Sequence, residues 1–451
     1  MQDFSDEFKN KMQDLLGDDS NKFFDALSKP IKKAITANFD RLNKFDFEKI
    51  IDFKISPIEE VDNGYYIDED IKIGKQPLHH LGVFYSQEPS AMYPVEMLRV
   101  KKGDIILDLC SAPGGKSIQI LEKLNGTGLL VSNEIVYNRA KILYENLNRM
   151  GFKNFAITCN SPEDYEKTSL KFDKILIDAP CGGEGMFRRK DFDFNAYNNA
   201  SIESNSRRQL SILNSVKNLL KCGGYLVYST CTYDVRENEG VIATFLDDNP
   251  DFELIDCPRL SKVTSKGVKV GNHNTQFCKR RYPHEFQGEG QFMALLKKKG
   301  EEEASKKHKF YANGFSDLYK KDIEILKKDF FPFVDISNIN LAKKNDSIFA
   351  IPDISLNFEK LNVLSMGVLM GNILKGTFKP AHTSFHTYGD IYKNKVSLNP
   401  QQLNYYLQGQ EIEVDERING LCVVEYMNIP LGGGKVVGNR LKNYYPKELR
   451  N

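Results

Sequence analysis

The sequence predicts a doubly wound α/β domain that lies between a helix-rich N-terminal appendage and a β-rich C-terminal module. Three observations support this fold class. Apolar strand segments without polar alternation are separated by segments of helical periodicity, which is typical of a parallel sheet covered on both faces. A glycine-rich turn follows the first of these strands, as in nucleotide-binding α/β domains. The end of the chain contains short strand-like segments separated by glycines, which favours a small β-rich module.

The appendage is predicted for residues 1–95. Apolar residues recur at helical spacing in FFDALSKPIKKAI, and a short alternating segment, DNGYYIDEDIKI, follows. The α/β domain is predicted for 96–299, with strands at DIILDLC, TGLLVSNEI, NFAITC, FDKILID and GGYLVYST. GQFMALLKKK is expected to return as an antiparallel strand at the edge of the sheet.

The remaining chain divides into three parts. Blocks of alternating charge in KKKGEEEASKKHKF predict a linker at 300–309. An intermediate mixed region is expected at 310–380, and the β-rich module at 381–451. We find no internal repeat.

The charge balance, 62 Lys+Arg against 61 Asp+Glu, does not by itself predict a polyanionic partner. A nucleic-acid contact must therefore be local. One basic cluster lies near the end of the chain, at Lys435, Arg440, Lys442, Lys447 and Arg450. No apolar run is long enough to span a membrane, and the acidic, polar start does not resemble a signal peptide, so we expect a cytoplasmic protein without a membrane partner.

The eight cysteines form no C-x-x-C pair and no regular spacing. This pattern predicts neither a disulfide framework nor a metal site, and free thiols in a reducing compartment are expected. A functional cysteine must be identified from its surroundings.

The segment DLCSAPGGKS ends the first strand and opens the first helix. Gly114 and Gly115 let a ligand approach the backbone closely. A phosphate-binding Walker loop is excluded because Cys110 occupies the position of its first glycine, and the fingerprint G-x-G-x-x-G is absent. The turn therefore predicts a cofactor that presents a carboxylate to the helix N-terminus, and S-adenosylmethionine is such a cofactor.

Two further side chains are candidates for cofactor contacts. Glu134 ends the second strand, where a carboxylate can accept hydrogen bonds from both ribose hydroxyls. Asn160 follows the third strand and is a candidate for the adenine edge, although asparagine is also a common turn residue at such positions.

Chemistry is predicted after the fourth and fifth strands. KILIDAP leads into Asp178 and Cys181, and a second thiol, Cys231, ends the fifth strand in Ser-Thr-Cys-Thr. Because carboxyl ends of parallel strands meet at one edge of a sheet, both thiols are expected to face one crevice with the cofactor.

This set of groups fits methylation at carbon 5 of a pyrimidine. Carbon 5 is too poor a nucleophile until a thiolate has added to carbon 6, and Asp178 would hold the ring and stabilise the charge that builds up. The proton on carbon 5 must then leave, which requires a base, either a second thiol or a water. Methylation of an amino group needs none of these groups. The residues alone do not decide which of the two thiols attacks.

A base inside a duplex is out of reach of such a crevice, so the target is expected to be unstacked or flipped. Arg188 and Arg189 follow the Gly-rich turn after Cys181 and are candidates for contacts with RNA phosphates, or simply form a solvated basic pair.

These motifs in this order resemble the Nol/Nop/Sun family of RNA cytosine-5 methyltransferases. The bacterial RsmF-like branch, which acts on 16S ribosomal RNA, is closest in resemblance. That similarity rests on four segments: YSQEPSAMYPVEML, GEGMFRR, RRYPHEFQGEGQFMA and GNRLKNYYPKELR. It extends over nearly the whole chain and is densest between about 80 and 296.

The resemblance implies that Cys231 is the nucleophile, that Cys181 assists release, and that Asp178 is catalytic. It implies cofactor contacts from one set of residues: Cys110, Ser111, Ala112, Pro113, Gly114, Gly115, Lys116, Glu134 and Asp178. Asn160 departs from the family pattern, in which many members carry aspartate.

The resemblance also implies RNA-binding extensions. Arg41-Leu42-Asn43-Lys44 is similar to the family's entry into its N-terminal RNA-binding region, and the end of the chain resembles a PUA-like module. We therefore expect a monomeric enzyme without metal that acts on ribosomal RNA or the small subunit. Transfer RNA is the alternative substrate, and a non-catalytic RNA-binding assembly factor is the alternative function.

Overall fold

The computed structural model describes residues 4–189, 198–301, 311–312, 314–353, 356–415 and 417–450. Its helices and strands fall into three regions along the chain. Of the predicted linker at 300–309, residues 302–309 lie outside the described part.

The N-terminal region combines helices with a four-stranded sheet. Its elements are α1 (Asp6–Leu16), α2 (Ser20–Leu27), β1 (Ala34–Ala37), α3 (Lys44–Ile50), β2 (Ile55–Pro57), β3 (Gly64–Ile67), α4 (Pro77–His80), β4 (Phe84–Ser86) and α5 (Tyr93–Leu98). The sheet has the order β2-β3-β1-β4, with antiparallel neighbours. Two helices begin at side-chain caps, since the side chains of Ser5 and Asn43 accept hydrogen bonds from backbone N–H groups of α1 and α3.

The central region contains the predicted doubly wound domain. Its elements are β5 (Ile105–Asp108), α6 (Gly115–Leu124), β6 (Leu129–Asn133), α7 (Tyr137–Met150), β7 (Phe155–Thr158), α8 (Pro162–Glu166), β8 (Phe172–Asp178), α9 (Asn199–Val216), β9 (Leu220–Thr230), α10 (Glu239–Asp248), β10 (Phe252–Ile255), β11 (Ser265–Lys266), β12 (Lys279–Arg281) and β13 (Gln291–Lys298). Strands β7-β6-β5-β8-β9 are parallel neighbours, which confirms the predicted fold class.

Consecutive residues of β5 face opposite sides of this sheet. Ile106 packs in one apolar cluster with Leu121 of α6 and Leu143 of α7, whereas Leu107 packs in another with Leu213 of α9 and Phe245 of α10. Helices therefore cover both faces, which explains why the strands lack polar alternation. The strand order reverses at β5, which lies between β6 and β8, so a crevice opens at the carboxyl ends of these strands.

β13 runs antiparallel to β9, as predicted, but the expected edge position is wrong. β12 and β10 both pair with the other side of β13, because the chain between β10 and β13 folds back and extends the sheet.

The C-terminal region contains two five-stranded sheets. Its elements are β14 (Tyr311–Ala312), β15 (Phe315–Ser316), α11 (Lys320–Asp329), β16 (Asn340–Lys344), β17 (Ser347–Ile351), β18 (Asn357–Phe358), β19 (Val363–Met366), β20 (Val368–Leu374), β21 (Thr377–Pro380), α12 (His382–Thr387), β22 (Lys395–Ser397), α13 (Pro400–Leu407), β23 (Ile412–Glu413), β24 (Gly420–Tyr426), β25 (Ile429–Val437) and β26 (Arg440–Asn443). The sheet orders are β15-β16-β17-β20-β21 and β22-β24-β25-β26-β23. The predicted β-rich end is confirmed.

The C-terminal region is built into the other two regions. β19 pairs antiparallel with β7 and so extends the central sheet. Apolar residues of the last sheet and of the N-terminal sheet, such as Val424 and Ile35, share one core. Carbonyl groups at the end of α7 lie where all three regions meet. His386 Nε2 contacts the Arg149 carbonyl oxygen at 2.7 Å, and half-buried Arg41 donates to the Met150 carbonyl oxygen at 3.3 Å. Arg41 thus has a structural contact.

Candidate active site

The glycine turn bends between β5 and α6 at the carboxyl edge of the sheet. Gly114 adopts a φ of 117°, and a Cβ there would lie 3.0 Å from Cδ1 of Leu143. A Cβ on Gly115 would lie 3.2 Å from Cδ of Gln87. Gly114 is therefore favoured for its backbone conformation, and a side chain at position 115 would press against Gln87 of the N-terminal region.

A cavity of about 680 Å³ opens at this turn. Ten of the predicted site residues line it: Cys110, Ser111, Ala112, Pro113, Gly115, Lys116, Glu134, Asp178, Cys181 and Cys231. Gly114 and Asn160 are the two predicted residues that do not. Side chains of the N-terminal region also contribute to the wall, notably Tyr85 and Gln87, which the sequence motifs did not indicate.

The two predicted thiols are in contact. Cys181 Sγ and Cys231 Sγ lie 3.4 Å apart. Contact with the Cys231 sulfur and burial together hold the pKa of Cys181 well above its usual range. Cys181 therefore remains a thiol that can donate its hydrogen to Cys231.

Asp178 lies at the end of β8 and is surrounded by donors. Its Oδ2 accepts from Lys116 Nζ at 2.7 Å, and its Oδ1 accepts from Ser229 Oγ at 2.7 Å and from Gln291 Nε2 at 3.1 Å. Burial acts to lower the pKa of Lys116, but the charge and hydrogen bond of Asp178 outweigh it and raise that pKa. Lys116 is thus a cation at neutral pH. Lys116, Ser229 and Gln291 together hold the carboxylate as an acceptor.

Glu134 lies where the ribose contact was predicted, at the turn that follows β6, and its side chain is 3% exposed. Its Oε1 accepts from the Val136 N–H at 2.9 Å, and its Oε2 pairs with Arg139 Nη1 at 3.0 Å. These contacts fix the carboxylate at the wall of the cavity, close to the glycine turn, since the guanidinium of Arg139 also donates to the Ala112 carbonyl oxygen at 2.9 Å.

Asn160 is engaged elsewhere. Its Nδ2 donates to the Asn362 carbonyl oxygen at 3.2 Å, and its Oδ1 accepts from the Asn362 N–H at 3.0 Å. The side-chain amide therefore joins the chain before β19 to the end of β7. An adenine contact by Asn160 stays a prediction.

Two buried side chains hold the turn that carries Cys181, and the sequence motifs did not identify either. The Glu237 carboxylate accepts from the Gly182 N–H at 3.0 and 3.2 Å. Gln209 Nε2 donates both to the Pro180 carbonyl oxygen, at 2.9 Å, and to Glu237 Oε2, at 2.8 Å. Burial raises the pKa of Glu237 to about 7.

A second buried network holds the chain after Cys231. Arg280 Nε donates to Glu239 Oε1 at 2.7 Å, and Arg280 Nη1 donates to the Tyr233 carbonyl oxygen at 2.8 Å. Phe8 and Phe23, from α1 and α2, pack with Tyr233 in one apolar cluster. The N-terminal helices therefore support the strand end that presents the nucleophile candidate.

The two arginines expected to contact RNA phosphates differ in their surroundings. Arg188 donates to the carbonyl oxygens of Ala26 and Lys29, at 3.3 and 3.4 Å, and so ties its turn to the end of α2. Arg189 donates two hydrogen bonds to Glu289, at 2.7 and 2.6 Å, at the wall of the cavity.

The residues fit S-adenosylmethionine. The cavity has room for a cofactor beside a helix N-terminus that offers N–H groups to a carboxylate, and Glu134, the predicted ribose acceptor, lines the same cavity. Among the described residues, no group of three or more His, Cys, Asp or Glu side chains is arranged to hold a metal ion. Within the same ranges, no helix is both long and apolar enough to cross a bilayer.

Three family models match the chain. The model described as 16S rRNA methyltransferase RsmB/F matches residues 95–297. The N-terminal domain of 16S rRNA methyltransferase RsmF matches 4–89, and the methyltransferase RsmF PUA domain matches 393–451.

Two relatives match over almost their whole length. Ribosomal RNA small subunit methyltransferase F of Shewanella piezotolerans is 30% identical over 447 residues, which covers 95% of this chain and 93% of the relative. The protein of the same name from Shewanella loihica is 31% identical, with 99% of this chain and 95% of the relative covered.

Solved structures are similar over the shared domain. A methyltransferase homolog protein from Pyrococcus horikoshii superposes with a TM-score of 0.59 at 27% identity, covering 65% of this chain and 95% of its own. NSun6 from the same organism, solved with SFG, has a TM-score of 0.57 at 21% identity, with 66% of this chain and 99% of its own covered, and supports the fold alone.

Proposed function

The chain belongs to the RsmF family of 16S rRNA methyltransferases, and from this premise we propose that it methylates carbon 5 of a cytosine in small-subunit ribosomal RNA through a covalent cysteine adduct. One observation carries the proposal: two thiols 3.4 Å apart share a cavity with a carboxylate and with the glycine turn. Methylation of an amino group has no use for a pair of thiols.

The cofactor site is proposed at the glycine turn. Residues 110–116 would face the carboxylate end of S-adenosylmethionine, and Glu134 its ribose. When bound, S-adenosylmethionine supplies an electrophilic methyl group. Lys116 and Asp178 are half-buried and line the same cavity as this turn and the two thiols, so the base and the methyl group can meet there.

The first step is assigned to Cys231. Its thiolate bonds to carbon 6 of the cytosine, and the electron pair of the C5–C6 double bond makes carbon 5 nucleophilic. Asp178 holds the edge of the ring. The Lys116 ammonium, 2.7 Å from Asp178 Oδ2, stabilises the negative charge that builds up on the ring during addition.

The last step is assigned to Cys181. Once carbon 5 has gained its methyl group, its remaining proton passes to a water held beside the Cys181 sulfur, or to the Cys181 thiolate once that cysteine has released its own proton to solvent. The electron pair of that C–H bond re-forms the C5–C6 double bond, the C6–S bond breaks, and the thiolate returns to Cys231. Cys181 is suited to assist and not to attack, because its raised pKa keeps it protonated while Cys231 adds to the ring.

The flanking regions are proposed to bind RNA. We keep residues 1–95 and 381–451 as extensions of a catalytic domain at 96–299, with the target cytosine flipped out of its stack. Lys435 and Lys442 are exposed and lie directly opposite one another on β25 and β26. Like charges in this arrangement are unfavourable, and an RNA backbone across the hairpin would offset them. We propose that the protein acts as a monomer in the cytoplasm, the compartment in which a bacterial ribosomal RNA substrate is found.

The test is a methylation assay with labelled S-adenosylmethionine. Unmodified small-subunit ribosomal RNA and unmodified transfer RNA serve as parallel substrates, with wild-type protein, Cys231→Ala and Cys222→Ala. Cys222 is the matched control because it lies at the opposite end of the same strand, β9. We expect incorporation into ribosomal RNA only, its loss in Cys231→Ala, and its retention in Cys222→Ala.

Other outcomes would contradict the proposal in distinct ways. Incorporation into transfer RNA alone would reassign the substrate. Equal incorporation by Cys231→Ala would remove the covalent mechanism, and binding of RNA without any incorporation would make the chain a non-catalytic factor.

A further inference from the structure

The carboxamide of Gln291 is held in one orientation. Its nitrogen donates to Asp178 Oδ1 at 3.1 Å, and the same oxygen accepts from Ser229 Oγ at 2.7 Å. A carboxylate oxygen can only accept, so the nitrogen must face Asp178 and the carboxamide oxygen must face away from it.

That oxygen is open toward the cavity. Gln291 is 4% exposed and lines the cavity, and within the described part of the chain no group donates to its Oε1. This oxygen is also accessible to solvent. Among the described residues, it does not belong to the fully buried side-chain atoms that have no hydrogen-bond partner. A fixed, unpaired acceptor therefore points into a site in which a base is expected to bind.

Gln291 lies next to the reacting centre. It begins β13, whose following residue Phe292 pairs with Thr230, the residue before Cys231. The acceptor, the Asp178 carboxylate and the Cys231 sulfur are thus presented from the ends of three neighbouring strands, β13, β8 and β9.

Asp178 has little free capacity to read the base by itself. The two in-plane lone pairs of its Oδ1 are used by Ser229 and Gln291, and one of those on Oδ2 is used by Lys116. One acceptor position remains. The 4-amino group of cytosine has two hydrogens to donate, so a second acceptor beside Asp178 completes a site for that group.

We propose that Gln291 is a specificity-determining residue that accepts a hydrogen bond from the 4-amino group of the target cytosine through Oε1. The inference rests on the proposed function and adds to it the group that separates cytosine from uracil. Uracil presents a carbonyl oxygen at carbon 4. That oxygen and Gln291 Oε1 are both acceptors, so no hydrogen bond can form between them. A site built to pair a donor rejects a ligand that lacks it, because its polar group is left unpaired.

The test compares two RNA substrates that differ only at carbon 4. One carries 5-fluorocytosine at the mapped target position, and the other carries 5-fluoro-2-pyrimidinone, which has hydrogen in place of the amino group. The step that releases the enzyme requires the group on carbon 5 to leave as a cation, which hydrogen can do and fluorine cannot. The covalent complex is therefore expected to accumulate on both RNAs, and it is read on a denaturing gel. The measured quantity is the rate of complex formation.

Gln291→Met removes the acceptor while keeping an unbranched side chain. We expect it to slow the reaction of the 5-fluorocytosine RNA roughly tenfold more than that of the 5-fluoro-2-pyrimidinone RNA. Gln291→Glu keeps an acceptor oxygen, and it is expected to restore the preference for the amino-bearing base even where both rates are lower.

Ser229→Ala is the matched control, because it removes a donor to the same Asp178 oxygen without removing an acceptor for the base. It is expected to slow both reactions by the same factor. An equal loss on both RNAs in Gln291→Met would overturn the inference and leave Gln291 as a support for Asp178. If wild-type protein forms no complex with either RNA, the result contradicts the proposed function itself. That outcome differs from an equal loss in Gln291→Met, which contradicts only the role of Gln291.

Discussion

The sulfur atoms of Cys181 and Cys231 lie 3.4 Å apart although 50 residues separate them in the chain. The parallel pairing of β8 with β9 produces this contact, because Asp178 is in register with Ser229 and both cysteines follow shortly after these strand ends. The Glu237 carboxylate, bonded to the Gly182 N–H, then holds the Cys181 turn against Cys231. The two thiols differ in surroundings, and that difference allows them different roles.

Cys181→Ala is expected to trap the protein on its RNA. The adduct can still form on Cys231, but the group that assists loss of the carbon-5 proton is gone. A denaturing gel should show a slower protein band that disappears after ribonuclease treatment, and Cys222→Ala should show none. Wild-type turnover without a trapped band would remove the role proposed for Cys181.

Lys116→Met is expected to lower kcat by roughly a hundredfold while RNA affinity changes little, because it removes the cation that stabilises charge on the ring. Steady-state methylation assays and filter binding measure the two quantities. Lys141→Met, on the exposed face of α7, is the control. An unchanged kcat would show that the pair formed by Lys116 and Asp178 is not used in catalysis.

Glu237→Gln is expected to change how stability depends on pH. Burial raises the pKa of Glu237 from 4.5 to about 7, so between these values the folded protein retains a proton that the unfolded chain releases. The free energy of unfolding therefore falls as pH rises through this window. The variant should lose that decline, so its free energy of unfolding should depend less on pH between 4.5 and 7 than that of wild type.

Urea unfolding at several pH values between 4.5 and 8 measures this effect. Glu203→Gln, on an exposed position of α9, should leave the pH dependence as it is in wild type. Identical slopes for wild type and Glu237→Gln would contradict the assignment.

Arg280→Met is expected to destabilise the fold by about 3–5 kcal/mol, because it leaves the Glu239 carboxylate buried without its partner. Chemical denaturation measures the loss. The double variant Arg280→Met with Glu239→Leu should recover a large part of it. A loss below about 1 kcal/mol in the single variant, typical of an exposed ion pair, would show that this pair does not hold the chain after Cys231.

Sequence alone predicted the parts of the site that depend on local pattern. The strand ends, the glycine turn and the positions of Asp178, Cys181 and Cys231 follow from apolar periodicity and from the rule that parallel strands end at one edge. These residues meet in the structure as the rule predicts. The rule can be applied to a sequence because it requires no knowledge of distant contacts.

Contacts between residues that are far apart in the chain could not be predicted from such local patterns. Asn160 is bonded to Asn362, 202 residues further along the chain, because β19 joins the central sheet. The edge position expected for β13 was wrong for a similar reason, since β12 is a short strand of charged residues without an apolar run. Gln209 lies in α9 and Glu237 lies just before α10, and neither belongs to a recognisable sequence motif. Their contacts with the Cys181 turn follow from their burial beside it, which only the structure shows.

The identity of the cysteine that bonds to RNA tests the central claim most directly. Wild-type protein is incubated with S-adenosylmethionine and RNA carrying 5-fluorocytosine at the mapped target, the complex is digested, and the modified peptide is sequenced by mass spectrometry. The account predicts a nucleotide on Cys231. A nucleotide on Cys181 instead would contradict it and reverse the roles of the two thiols.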